Sequence, residues 1–243
     1  MRNKITAAAL SLALFALLSA GCGSVSIAIK DYDYGEMRLV QLEELYEGQP
    51  VAVITTTLGV VKVALYPQYA PNTVGNFIER AEEGYYDGKK VLVIFNQLYF
   101  LSGVDNEEAG EGGKTTDGKP IVNEYSVNLW PFKGALLSCG DRQGEGDSRF
   151  FIVNSDEFGE AEVEALREVK KDGKQMFPDE FLYAFAEKGG VFEFSGRYTV
   201  YGQTVEGIDV VEAICAAEVD ETTRKPVTDI VIEKIELEYY TEE

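Results

Sequence analysis

Residues Gly134–Val153 read GALLSCGDRQGEGDSRFFIV, and the fold turns on how this stretch divides. Gly134 to Cys139 is compact and apolar, which reads as a strand. Gly140 to Asp147 carries three glycines and supplies turn chemistry. Ser148 to Val153 alternates, so Arg149, Phe151 and Val153 share one face of a second strand while Phe150 and Ile152 take the other. A cation and a ring on one strand face, beside a loop, outline a shallow binding groove. The same residues also suit a plain hairpin with an exposed arginine and two core phenylalanines. Residue chemistry alone favours the plainer reading.

Working outward, Val51–Thr57 and Val60–Tyr66 read as two strands joined at Leu58-Gly59. Pro71–Ala81 has apolar residues at 74, 77, 78 and 81, a helical spacing with a Pro/Asn/Thr start and a stop at Gly84. Val91–Leu101 reads as one long apolar strand with Asn96-Gln97 in its middle. Asn106–Pro120 is an acidic, glycine-rich loop that lacks the residue order of a calcium loop. Beyond the central stretch, Glu160–Lys171 and Pro178–Lys188 are helical, an insertion spanning about residues 156–190. Tyr198–Val205 returns to strand. Ile208, Val211, Ile214 and Cys215 line one face of another helix, and Val227–Leu237 gives a last strand. This order predicts a mainly β domain over residues 49–240, a closed antiparallel barrel with helices at its ends.

The chain has 243 residues, 45% of them hydrophobic and 12% aromatic, enough for a real core. Its formal net charge is −20, which disfavours nucleic acid and anionic lipid as partners, since both need Lys/Arg against phosphate. It contains no histidine, so His-based triads, general bases and metal sites are excluded. Cysteines at 22, 139 and 215 lack the spacing of a zinc or thioredoxin-type site. No metal or cofactor is expected. Nor is a Cys139–Cys215 disulfide, because one thiol falls on a strand and the other on a buried helix face.

Met1-Arg2-Asn3-Lys4 is a basic leader start, and Ile5–Ala20 is a mostly apolar run too short for a comfortable membrane span. It ends in Leu18-Ser19-Ala20-Gly21-Cys22, which resembles a lipobox. The expectation is a signal peptide over 1–21 and lipid on Cys22, anchoring the chain outside the cytoplasm. Residues 22–48 are expected to be a tether, with Met37–Leu45 able to form a short amphipathic helix.

The stretches ITTTLGVVKVALYPQYAPNTVGNFIERAEEGYYDG, GALLSC…GDSRFFIV, SGRYTVYGQTVEGIDVVEAI and PVTDIVIEKIEL together resemble the cyclophilins, over about residues 50–238 in order. A membrane-anchored bacterial branch of that family also carries a helical insert before its last glycine-rich strand. The resemblance implies an eight-stranded antiparallel barrel capped by two helices, near 74–83 and 207–216. It also implies rotation about X–Pro amides, whose barrier is roughly 18–20 kcal/mol. Such a site holds the proline ring in an apolar pocket and donates a hydrogen bond to the prolyl nitrogen as the amide twists.

By that resemblance the family's donor arginine falls on Val93, its preceding histidine on Leu92, and a following glutamine on Ser102. The groove aromatics map to Tyr99, Phe100, Phe151, Phe194 and Tyr198, and the residues that grip substrate backbone to Cys139 and Gly140. Arg149 is the nearest replacement donor. The implied activity is a lipid-anchored peptidyl-prolyl isomerase acting on proline-containing exported polypeptides as a monomer, weakened by loss of the arginine. The alternative is a non-catalytic lipoprotein that binds a peptide or partner in the same groove.

Overall fold

The computed structural model describes residues 32–95, 98–108, 112–156 and 158–242. The expected signal peptide and the expected lipidation at Cys22 lie outside the described residues, as do residues 22–31 of the expected tether.

Eight strands make one antiparallel sheet: β1 (Pro50–Thr56), β2 (Gly59–Leu65), β3 (Val93–Phe95), β4 (Tyr99–Ser102), β5 (Ala135–Ser138), β6 (Phe150–Val153), β7 (Thr199–Glu206) and β8 (Ile232–Tyr239). Their order across the sheet is β8-β1-β2-β7-β5-β6-β4-β3. Two-residue pairs, Ile121–Val122 with Glu145–Gly146 and Lys170–Lys171 with Lys174–Gln175, stand apart from it. The sheet curls, and β8 and β3 stand at its ends. The segments flanking them meet at a bridge between Lys90 and Val231, with Gly88 N–H donating to Ile232 C=O at 2.8 Å, Ile232 N–H to Lys89 C=O at 2.7 Å and Val91 N–H to Ile230 C=O at 2.8 Å. The expected closed barrel is therefore a curled sheet whose end strands do not ladder together.

The long strand expected over 91–101 is a hairpin. Val93 pairs with Leu101 and Phe95 with Tyr99, and Leu98 N–H closes the turn on Phe95 C=O at 2.8 Å. The two apolar halves have the same hydropathy, and the polar pair Asn96-Gln97 between them in sequence is the one signal that a single-strand reading passes over.

Helix α1 (Pro71–Glu82) begins with proline, whose missing N–H costs nothing at that position. Its first N–H groups are capped from afar. The Glu124 carboxylate accepts from Asn72 N–H at 3.1 Å and Thr73 N–H at 2.8 Å. The insert contributes α2 (Glu160–Arg167), which stops short of the expected Lys171 because Lys170–Lys171 pairs as a strand with Lys174–Gln175, and α3 (Asp179–Lys188); α4 (Ile208–Cys215) follows β7.

Period-two alternation divides the sheet's side chains between two cores. Ile54, Val63, Phe100, Leu136, Phe150 and Ile152 pack against Val74 and Phe77 of α1 and Val211 and Ile214 of α4. On the other face, Ala64, Leu137, Phe151, Val153 and Val200 form a second cluster with Tyr66 and Leu129. The insert supplies a third, built on rings: Trp130 and Phe181 have centroids 4.5 Å apart, and Phe132 and Phe185 4.6 Å.

Residues 32–48 are not a tether. They form 3-10 turns at Tyr34–Glu36 and Val40–Leu42 instead of the expected amphipathic helix. Leu39, Met37, Tyr32 and Tyr34 pack into the insert's cluster, while Val40 and Leu45 reach the sheet's outer cluster. The segment is a strap that joins the insert to the sheet.

Candidate active site

The site lies on the outer face of the sheet where β3, β4, β6 and β5 run side by side. Registers align Val93 with Leu101, Leu101 with Phe151, and Phe151 with Leu137, so these four residues form one cross-sheet row on one face. The next row carries Phe95, Tyr99 and Val153. The 3-10 turn Phe192–Phe194 and the residues before β7 bring Phe194 and Tyr198 over the same patch.

The rings form a box. Phe151 lies 5.1 Å from Tyr99, 5.5 Å from Phe194 and 5.0 Å from Tyr198, centroid to centroid. Phe194 and Tyr198 meet edge to face at 5.4 Å. Phe151 is buried as the floor, and the other three are half-buried around it. Phe95 stacks on Tyr99 at 5.7 Å and is 40% exposed, extending the row to the rim. Burial raises the Tyr99 and Tyr198 hydroxyls above the usual tyrosine pKa, so both are neutral donors at physiological pH.

Tyr99, Phe151, Phe194 and Tyr198, which the resemblance maps to the groove, thus lie together. Phe100 and Ser102 do not. Phe100 pairs with Ile152 and lies in the inner core, and Ser102, opposite Phe150, is fully buried and donates to Lys90 C=O at 2.8 Å. The residue on the groove face is Leu101. Phe100 and Ser102 each lie one step along β4 from the groove-facing Tyr99 and Leu101, and in a strand one step moves a side chain to the opposite face.

Cys139 and Gly140 sit at the end of β5. Cys139 N–H donates to Arg149 C=O at 3.2 Å, and Cys139 C=O accepts from Asp147 N–H at 3.0 Å. Burial pushes the Cys139 thiol up to about 12, with the Arg149 charge pulling weakly the other way. Gly140 is there for space: a Cβ would stand 2.7 Å from Glu145 C=O. Cys139 and Cys215 are both free thiols.

Arg149 is neither exposed nor open to the groove. Its Nε lies 3.0 and 3.1 Å from the two Asp147 carboxylate oxygens, and Nη2 lies 2.5 Å from Asp147 Oδ2 and 2.6 Å from Asp141 Oδ1. The Arg149 and Asp147 side chains are each 11% exposed, while Asp141 is 72% exposed. Burial alone would lower the guanidinium pKa. The hydrogen bonds and charge of Asp147, then Asp141, more than reverse this and fix the cation. Both aspartates sit in the loop that the sequence marks only as turn chemistry, so nothing local announces the clamp.

The sequence pattern of the Cyclophilin type peptidyl-prolyl cis-trans isomerase/CLD family matches residues 51–237. The chain belongs to the cyclophilin family. A Staphylococcus aureus protein that bears the name peptidyl-prolyl cis-trans isomerase is 32% identical over 196 residues, covering 81% of this chain and 95% of its own. A Streptococcus pyogenes protein named as a bifunctional phosphatase/peptidyl-prolyl cis-trans isomerase is 32% identical over 207 residues. The match covers 83% of this cyclophilin but only 42% of the streptococcal chain. A Cryptosporidium parvum cyclophilin, solved in the presence of the dipeptide Ala-Pro, shares the fold with a TM-score of 0.58 at 18% identity, covering 76% of this chain and 96% of its own.

The ring box is made of tyrosines and phenylalanines, with Val93 in the row beside it at the position where the resemblance puts the donor arginine. Among the described residues, no group of three or more acidic or cysteine side chains could hold a metal.

Proposed function

We propose that this cyclophilin is a lipid-anchored, extracytoplasmic isomerase of low turnover that takes X–Pro segments of exported polypeptides into the ring box. One observation carries the reading: Val93 occupies the row beside Leu101 and Phe151, while the nearby Arg149 is held by two carboxylates through Nε and Nη2. An apolar box lined by Tyr99, Phe194 and Tyr198 suits a prolyl ring, which gains by leaving water. Rotation needs no nucleophile or base. It needs the twisted amide to be bound better than either planar isomer. A guanidinium beside the prolyl nitrogen does this by hydrogen bonding, and valine cannot. By analogy with removal of a single oxyanion-hole donor, the loss is on the order of 10²–10³ in rate.

The test is a protease-coupled isomerisation assay on an Ala-Pro-containing peptide with the full chain. The expected kcat/KM is low for the native protein, rises with Val93→Arg, and is unchanged in Arg149→Lys. A high native rate lost in Arg149→Lys would overturn the reading and make Arg149 the donor. Binding of the peptide without any turnover, in the native chain and Val93→Arg alike, would leave a peptide-binding module. The anchor is tested separately, by incorporation of labelled fatty acid and its loss in Cys22→Ala.

A further inference from the structure

Helix α3 shows two faces to two different environments. Phe181, Leu182 and Phe185 are buried in the insert's ring cluster. Glu180, Tyr183 and Glu187 follow at the spacing of one helical stripe and face outward toward the strap, with the buried Ala184 beneath them. Between this stripe and the 3-10 turn Val40–Leu42 runs a groove of about 600 Å³. Its floor is apolar, made by Leu39 and Ala184, 8% and 7% exposed. Its rim carries two large apolar side chains that no other described residue covers, Leu42 at 40% and Tyr183 at 62% exposure. Glu43, Glu180 and Glu187 supply three carboxylates along it.

Two cations stand near. Arg38 pairs with Glu43 at 2.7 Å and Lys188 with Glu187 at 2.7 Å. Both pairs are largely exposed, where an ion pair contributes little and exchanges readily for another cation. Glu180 has no ion pair among the described residues. The whole chain carries −20, so any approaching cation is drawn in and any anion repelled. The charge also argues against two other occupants. A second copy would bring its own carboxylates and the same net charge against the groove, and an anionic lipid surface would be repelled.

We propose that the groove between α3 and the strap docks a cationic amphipathic segment of another polypeptide. Its apolar side chains lie over Leu39, Ala184 and Tyr183, and its lysines or arginines meet Glu180, Glu187 and Glu43. This surface is distinct from the ring box, so it holds a partner without occupying the isomerase groove.

The test titrates the full chain with a synthetic amphipathic peptide of lysine and leucine at helical spacing, and with its counterpart bearing glutamate for lysine. The lysine peptide is expected to bind and to weaken steeply as salt is raised. Glu180→Lys with Glu187→Lys weakens it by about tenfold or more, and Leu42→Ser with Tyr183→Ser weakens it at unchanged charge. All four positions are accessible from solvent, and circular dichroism checks that each variant is folded. A matched reversal on β8, Glu233→Lys with Glu236→Lys, leaves affinity within a factor of two. The proposal is overturned by any of four results: no binding of the lysine peptide, equal binding of both peptides, equal loss in the β8 reversal, or a chain dimer that dissociates in Leu42→Ser with Tyr183→Ser.

Discussion

Gln41 and Trp130 exchange hydrogen bonds across 89 positions of sequence. The Gln41 carboxamide donates to Trp130 C=O at 2.8 Å and accepts from Trp130 N–H at 2.6 Å. Gln41 also donates to Gln203 Oε1 of β7 at 2.9 Å. One buried side chain thus ties the strap, the approach to the insert and the sheet together.

Gln41→Ala leaves the Trp130 N–H and Gln203 Oε1 buried without their Gln41 partner, while Trp130 C=O keeps the Phe132 N–H at 2.8 Å. Each such group costs about 1–3 kcal/mol, so the expected loss is about 2–4 kcal/mol in urea unfolding. A loss below about 0.5 kcal/mol would mean that the strap is peripheral to the fold. Arg38→Ala, which removes only an exposed ion pair, serves as the neutral comparison.

The two aspartates on Arg149 should differ sharply. Asp147→Ala strands a cation whose side chain is 11% exposed, and removing one partner of a buried pair costs about 3–5 kcal/mol. Asp141 is 72% exposed, so Asp141→Ala should cost under about 1 kcal/mol. Equal losses from the two, read from denaturant midpoints, would contradict the unequal burial of the clamp.

Gly103 joins β4 to the segment behind β6 at a φ of +84°, and a Cβ there would stand 2.5 Å from Ser148 C=O. Gly118 has a similar φ of +73° with nothing near. Gly118→Ala should therefore cost only the left-handed backbone penalty, about 1–2 kcal/mol. Gly103→Ala adds a backbone collision and should exceed it by more than about 1 kcal/mol. Thermal unfolding of the pair checks the order.

Alkali should destabilise the fold. Burial raises the Cys139 and Cys215 thiols from 9.0 to about 12. The unfolded chain then releases protons that the native chain keeps, so stability is whole below about pH 9 and falls as pH rises toward 12. Melting temperatures between pH 8 and pH 10.5 should decline, and Cys215→Ala should decline less. Thiol reagents at pH 8 should label both residues slowly before unfolding and quickly after it.

Much of this was legible along the chain. The β1–β2 hairpin, α1, the two insert helices and α4 follow from periodicity and start or stop residues, because those signals act within a few positions. Tyr99, Phe151, Phe194 and Tyr198 were identifiable through the family resemblance, and they do converge. The register between β4 and β6 was not. Phe100 and Leu101 are equally apolar, so hydropathy gives no hint of which one faces Phe151. Nor was the Arg149 clamp, since an aspartate two residues from an arginine reads the same whether it is solvated or locked.

Sequence by itself determined the β1–β2 hairpin, the main helices, the family and the lack of histidine, all of which depend on residue identity and short-range spacing. Only the tertiary structure decided that residues 32–48 are a strap, that Leu101 and not Ser102 faces the groove, and that Arg149 is held by Asp147 and Asp141. Each of these is a pairing between groups that local propensity leaves free. Hydrogen bonds and burial across the fold select one partner among many, and that selection exists only once the chain has closed on itself.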